Sequence, residues 1–117
     1  MKIIETQPPE KMEKRIQSFF SKSGEIGVNQ LEVSLKCPFT LKKMVHPCIT
    51  WKCSHITCFD AMSFVRYNST RPKCPLCGVG CSFRDLLIDG YWSNILKQIP
   101  SDCTRVRLRN DGGWEAM

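Results

Sequence analysis

Three features of this 117-residue chain predict an α+β fold. Two short ligand-type pairs, Cys53-Ser54-His55 and Cys74-Pro75-Leu76-Cys77, lie about one helix length apart. Apolar and polar residues alternate at Leu31, Val33 and Leu35, and again at Val106 and Leu108, which is the period of half-buried strands. Apolar residues also recur at helical spacing before the first pair, between the pairs and after the second. The expected architecture is a small metal-bound module of short strands and one helix, preceded by an amphipathic helix and followed by a helical extension. Residues 1–30 hold the first helix and a linker, 31–82 the module and 83–117 the extension.

The elements follow in order. After Pro8-Pro9, residues Met12, Ile16, Phe19 and Phe20 fall at i, i+4, i+7 and i+8, so Glu10 to Lys22 reads as an amphipathic helix. It either packs on the module or is the stub of a further domain. Ser23-Gly24 and Gly27 end it, and the alternating strand begins near Leu31. Lys43 to Trp51 mixes β-branched and aromatic residues around Pro47 and is expected to form an irregular hairpin. Phe59, Met62, Val65 and Arg66 predict a short helix that stops at the Asn68-to-Pro72 break. Beyond Cys77, Ser82 and Asp85 have the form of a capping box, so a helix of one or two turns is expected over Leu86-Leu87-Ile88. Asp89 is the expected cap of another helix, carrying Trp92, Ile95, Leu96 and Ile99 and halted by Pro100. Val106 and Leu108, set between Arg105, Arg107 and Arg109, form a last strand before the Asn110-Asp111-Gly112-Gly113 turn.

Hydrophobic residues at 42% and charged residues at 24% match an ordinary folded domain and exclude a disordered tail. No apolar run approaches the roughly 20 residues of a membrane span, and MKIIETQPPEK lacks the apolar core of a secretory signal. A soluble chain in a reducing, intracellular setting is expected. There, eight cysteines point to metal rather than to disulfides. Three thiolates and one imidazole from Cys53, His55, Cys74 and Cys77 make a closed tetrahedral set, suited to one structural Zn²⁺ and offering no open position for a catalytic water.

On the cross-braced RING pattern of four ligand pairs, the chain gives Cys37/Thr40, Cys53/His55, Cys58/Ala61 and Cys74/Cys77, of which only the second and fourth are complete. Cys37 and Cys58 are expected as small buried apolar residues. A second zinc held by Cys37, Cys58, Cys48 and His46 stays open as an alternative.

The runs SLKCP (34–38), CSHITCFDA (53–61) and CPLC (74–77) resemble the SP-RING (MIZ-type) zinc finger of the Siz/PIAS family of SUMO E3 ligases. LLIDGYWSNIL and the closing DGGW with Met117 are similar to the extension that follows this finger in that family. The resemblance implies a nuclear module that binds the SUMO-charged conjugating enzyme and promotes attack on its thioester by lysines of protein substrates. It implies no nucleophile, and so no catalytic residue, in the chain itself. It places the zinc on the same four residues, and the conjugating-enzyme contact on Phe39, Pro75 and Leu76. A monomer without membrane contact is expected. The run Thr104 to Arg109 is basic where many relatives are acidic, and Leu86 to Asp89 reads as packed core rather than as a SUMO-binding motif. Two rival functions are a RING- or U-box-like ubiquitin ligase and a nucleic-acid-binding zinc module; the net charge of +6 and pI near 9.0 allow nucleic acid as a partner without requiring it.

Overall fold

The computed structural model describes residues 5–22, 30–67 and 71–117. In chain order the elements are β1 (Thr6–Gln7), α1 (Pro9–Lys22), β2 (Gln30–Ser34), β3 (Pro47–Thr50), β4 (Phe59–Asp60), α2 (Ala61–Tyr67), a 3₁₀ turn (Phe83–Asp85), β5 (Leu86–Asp89), α3 (Gly90–Gln98), β6 (Arg105–Arg109) and β7 (Trp114–Ala116). They build two sheets, ordered β1-β5-β3-β4 and β2-β6-β7. All pairings are antiparallel except β1 with β5. Both sheets draw strands from distant parts of the chain, so the extension and the segment before β2 are woven into the same layers as the finger.

Helix α1 forms where its periodicity predicts. Met12 and Ile16 are fully buried and Phe20 nearly so, whereas Phe19, at the margin of the stripe, is largely exposed and meets Phe20 edge to face. This face lies on α3. Register in the second sheet follows the alternation: Leu31 opposes Leu108 and Val33 opposes Val106 on the buried face. On the other face, Arg105 and Arg107 reach Glu32, Arg107 and Arg109 reach Glu115, and Arg109 reaches Asp111. Each arginine of β6 therefore has a carboxylate partner.

Two expectations are corrected. First, Leu86-Leu87-Ile88 is strand, not helix. The Ser82/Asp85 capping box is present, but it caps only the 3₁₀ turn. The next four residues enter the sheet between β1 and β3, where Ile49 pairs with Leu87 and Thr6 with Ile88. A short apolar run suits a buried strand as well as a helix, and here partners on both edges decide for strand. Both edges being paired, the segment offers no free edge for strand addition, in keeping with its reading as core. The extension accordingly holds β5, β6 and β7 beside its helix α3.

Second, Lys43 to Trp51 contains one strand rather than a hairpin. β3 begins at Pro47, where the missing N–H costs nothing to an entering strand, and takes partners from β4 and β5. Helix α2 forms where the spacing of Phe59, Met62, Val65 and Arg66 predicts a short helix. Ala61 and Phe64 turn into the core behind Phe59, while Met62 and Val65 point to solvent.

Asp89 joins the segments. It is fully buried; its Oδ2 accepts the Trp92 N–H at 2.9 Å as the N-cap of α3, and its Oδ1 accepts Gln7 Nε2 at 3.1 Å. Gly90 follows because β1 passes too close for any side chain: a Cβ there would lie 2.7 Å from the Gln7 carbonyl oxygen. Trp92 fills the centre, and its indole N–H donates to the Ile56 carbonyl at 2.8 Å. Through that bond α3 anchors the loop that carries His55. Among the described residues, no helix is long and apolar enough to cross a membrane.

Candidate metal centre

The centre is built from two loops. Cys74 to Val79 folds as a knuckle: the Cys74 N–H donates to the Val79 carbonyl at 2.9 Å and the Gly78 N–H to the Cys74 carbonyl at 2.9 Å. Lys73 and Gly80 pair across its base. The turn needs a left-handed residue, and Gly78 supplies it at φ +77°. The second loop leaves β3 at Thr50, whose carbonyl accepts the Cys53 N–H and whose hydroxyl lies 3.1 Å from Cys53 Sγ. His55 Nδ1 donates to the Thr57 carbonyl at 2.8 Å, which fixes the ring and turns Nε2 toward the thiols.

The four ligand atoms of Cys53, His55, Cys74 and Cys77 lie within 4.8 Å of one another. Cys53 Sγ is 3.7 Å from Cys77 Sγ, and His55 Nε2 is 3.3 Å from Cys74 Sγ. A tetrahedral zinc with bonds of about 2.3 Å to sulfur and 2.0 Å to nitrogen sets ligand atoms about 3.8 and 3.5 Å apart, so donor chemistry and spacing both fit the ion. Electrostatics agree. Burial lowers the His55 pKa, against the Thr57 hydrogen bond and with help from Arg15, and keeps the imidazole neutral as a ligand must be. Burial pushes the Cys74 thiol up to about 12, so a metal must displace its proton. For Cys77 burial also acts upward, but hydrogen bonds from the Val79 backbone and from the Cys74 and Cys53 thiols prevail and lower it. Residues Cys53, His55, Cys74 and Cys77 are positioned to bind a zinc ion.

The alternative second set does not assemble: among the described residues no other cluster of metal-ligating side chains forms. Cys37, Cys48 and Cys58 are buried, and burial raises the thiols of Cys48 and Cys58 far above their usual range. Cys37 Sγ instead accepts the Asp60 N–H at 3.3 Å. Asp60 adds three bonds of its own, accepting the N–H groups of Val45, His46 and Ser63 at 2.9, 2.8 and 3.2 Å.

Even so, Cys37 to Lys42 repeats the geometry of the zinc knuckle. Cys37 N–H donates to the Lys42 carbonyl at 2.8 Å, Leu41 N–H to the Cys37 carbonyl at 2.8 Å, and Lys36 pairs with Lys43 across the base. Leu41 takes the place of Gly78, with φ +59° and 72% of its surface exposed. Pro38-Phe39 and Pro75-Leu76 thus occupy equivalent places on twin loops. Phe39 is half-buried, edge to face with Phe59, and Leu76 is exposed. The exposed apolar residues Leu41, Val45, Met62 and Val65 are surface features that sequence reasoning missed; only a helical wheel centred on Phe64 could have turned the last two outward.

Comparison with known proteins gives the same picture. The MIZ/SP-RING zinc finger family matches residues 33–79. The chain is 36% identical over 121 residues to E3 SUMO-protein ligase PIAS4-A of Danio rerio, covering 100% of this chain and 24% of that protein. It is 32% identical over 117 residues to E3 SUMO-protein ligase pli1 of Schizosaccharomyces pombe, covering 98% of this chain and 16% of that protein. The crystal structure of the S. cerevisiae SUMO E3 ligase SIZ2 superposes with a TM-score of 0.85 at 27% identity, over 96% of this chain and 42% of that one. That of SIZ1, at 23% identity, shares the fold with a TM-score of 0.87, over 97% of this chain and 40% of that one. The chain therefore spans a quarter or less of these two curated relatives. With its Cys3His centre, its twin knuckles and these likenesses, the chain carries a MIZ/SP-RING zinc finger over residues 33–79 and resembles SUMO E3 ligases of the Siz/PIAS family over nearly its whole length.

Proposed function

We propose that this chain is a SUMO E3 ligase module, which binds the SUMO-charged conjugating enzyme and speeds transfer of SUMO to lysines of protein substrates. The observation that carries this reading is the pair of matching knuckles, which present Phe39 on one side and Pro75 and Leu76 on the other as firmly held apolar anchors. A compact interface needs such anchors, since rigid apolar groups lose little freedom on binding. One zinc on Cys53, His55, Cys74 and Cys77 fixes the second knuckle and takes no part in the chemistry. The finger is assigned to residues 31–82, with 1–30 and 83–117 as its flanking parts.

Catalysis here is positioning: the conjugating enzyme's own thioester is held for attack, which lowers the entropic part of the barrier. The state of the other cysteines supports a role without a covalent intermediate. Cys48 and Cys58 are buried with raised pKa values, and burial lifts the Cys81 thiol to about 11, so none of these three offers a ready thiolate. A nuclear location and a monomeric state belong to the same proposal.

A reconstituted assay tests it. The zinc-loaded chain should accelerate discharge of SUMO from its conjugating enzyme, and Phe39→Ala should slow this about tenfold or more while zinc content stays the same, the cost of one buried anchor. Acceleration with a ubiquitin-charged conjugating enzyme instead, or unchanged rates in the variant, would overturn the assignment.

A further inference from the structure

Between the Cys37 knuckle and α2 runs a groove of about 530 Å³. Phe39, Val45 and Met62 give it apolar walls; Val45 is 73% and Met62 52% exposed. Lys42, Lys43 and Arg66 line it with three cations. Asp60 also lines it, but its carboxylate is occupied by the three backbone N–H groups of Val45, His46 and Ser63. Lys43 Nζ donates to the carbonyls of Pro100 and Ser101 at 3.1 and 3.5 Å, and no carboxylate among the described residues pairs with its charge. The side chains of Lys42 and Arg66 have no carboxylate partner among the described residues, in contrast with the arginines of β6.

We propose that this groove docks an acidic peptide segment of a partner protein, in which Asp or Glu residues flank one or two apolar side chains. Three cations around apolar walls are complementary to that chemistry: the carboxylates meet Lys42, Lys43 and Arg66 at the rim while a Leu or Phe side chain covers Val45 and Met62. A nucleic acid would use the charge but little of the walls, because bases stack on aromatic faces, Val45 and Met62 have none, and Phe39 is half-buried with its ring against Phe59. The groove shares Phe39 with the face assigned to the conjugating enzyme, but Lys42, Lys43, Arg66, Val45 and Met62, which carry the recognition, are not part of that face. The proposal therefore stands or falls without the ligase reading.

The experiment is fluorescence anisotropy on the full zinc-loaded chain, with a labelled peptide of alternating Glu, Leu, Asp and Phe as probe. Binding is expected at low salt, weaker at high salt, and absent for the counterpart peptide carrying Gln and Asn in place of Glu and Asp. The double variant Lys42→Glu/Arg66→Glu should weaken binding about tenfold or more, as expected when two rim ion pairs become repulsions. Lys42→Gln/Arg66→Gln, which adds no repulsion, should fall between, and Met62→Ser should lose several-fold through the apolar wall. Both side chains are exposed and make no hydrogen bond among the described residues, so zinc content and melting should not change; if the Glu variant misfolds, the Gln pair and Met62→Ser decide. Equal binding of the uncharged peptide, or full binding by the Gln and Met62→Ser variants, overturns the proposal. So does a DNA oligonucleotide that binds more tightly than the peptide and is released by the same charge changes, or a concentration-dependent dimer that these changes abolish.

Discussion

Asp89→Ala removes a single carboxylate that serves β1, β5 and α3 together, and its cost can be worked from the contacts. Losing the N-cap bond to Trp92 costs about 1 kcal/mol. Gln7 is buried, and its Oε1 has no partner among the described residues, so deleting Asp89 leaves Nε2 unpaired as well, at about 1–3 kcal/mol. Against this, burial raises the Asp89 pKa in opposition to the Trp92 and Gln7 hydrogen bonds, which means that the ionised group is disfavoured where it sits and that its removal recovers part of the loss. A net loss of about 2–3 kcal/mol remains, a large share of the roughly 5–15 kcal/mol that stabilises a domain. For a chain of this size 1 kcal/mol moves the midpoint by about 4 °C, so the zinc-saturated variant should melt about 8–12 °C below wild type by circular dichroism. Asp89→Asn keeps one acceptor oxygen but turns an amide donor toward a donor, and should fall between the two. An alanine variant that melts within about 3 °C of wild type would show that Asp89 does not tie the segments together, and the reasoning would fail.

Zinc removal by a chelator, or Cys74→Ser, should abolish cooperative melting, because a closed structural site contributes about 10–16 kcal/mol of apparent binding energy, as much as or more than the stability of a typical domain; a native-like melt without zinc would contradict this. Zinc affinity should also fall as pH falls. With Cys74 raised to about 12 its thiol is protonated at neutral pH, so uptake releases that proton and affinity drops about tenfold per pH unit for each such proton, whereas His55, lowered by burial, adds nothing until acid pH. Competition titrations with a chromophoric chelator from pH 8 to about 6 measure the slope, and a flat profile would refute it. Leu41→Gly should stabilise the fold by about 0.5–1 kcal/mol, since it relieves roughly 1–2 kcal/mol of left-handed strain at φ +59° at an entropic cost of about 0.5–1 kcal/mol; a lower melting temperature would contradict it.

The metal set was legible because spacing and donor type constrain it: two short pairs of thiol and imidazole leave few other readings. Helices α1 and α3 were legible for a similar reason, as each has a long apolar stripe and α3 has a cap at Asp89 and a stop at Pro100. The misreadings share one cause. Leu86 to Ile88 and Lys43 to Trp51 are short segments whose state is decided by strands far away in sequence: β3 finds β5 more than thirty residues on, and β5 finds β1 some eighty residues back. Local pattern carries no record of such partners. The buried face of α2 was not legible, because over seven residues Phe64 outweighs Met62 and Val65 only once Phe59 is known to lie beneath it.

The twin knuckles show how one backbone geometry can rest on two kinds of bond. In the Cys74 loop the zinc set holds the turn and Gly78 removes the backbone strain. In the Cys37 loop, Thr40 and Ala61 stand where a cross-braced pattern would have ligands, and Asp60 takes over: its N–H meets Cys37 Sγ while its carboxylate gathers three backbone donors. Hydrogen bonds to a charged acceptor contribute about 1.5–3 kcal/mol each at most and act only inside a packed surround, which Phe59, Phe64 and the fully buried Cys48 and Leu35 provide. The first knuckle therefore depends on the integrity of the core, the second on the ion. The proposed docking face, which spans both, would be complete only when the chain is folded and metallated together.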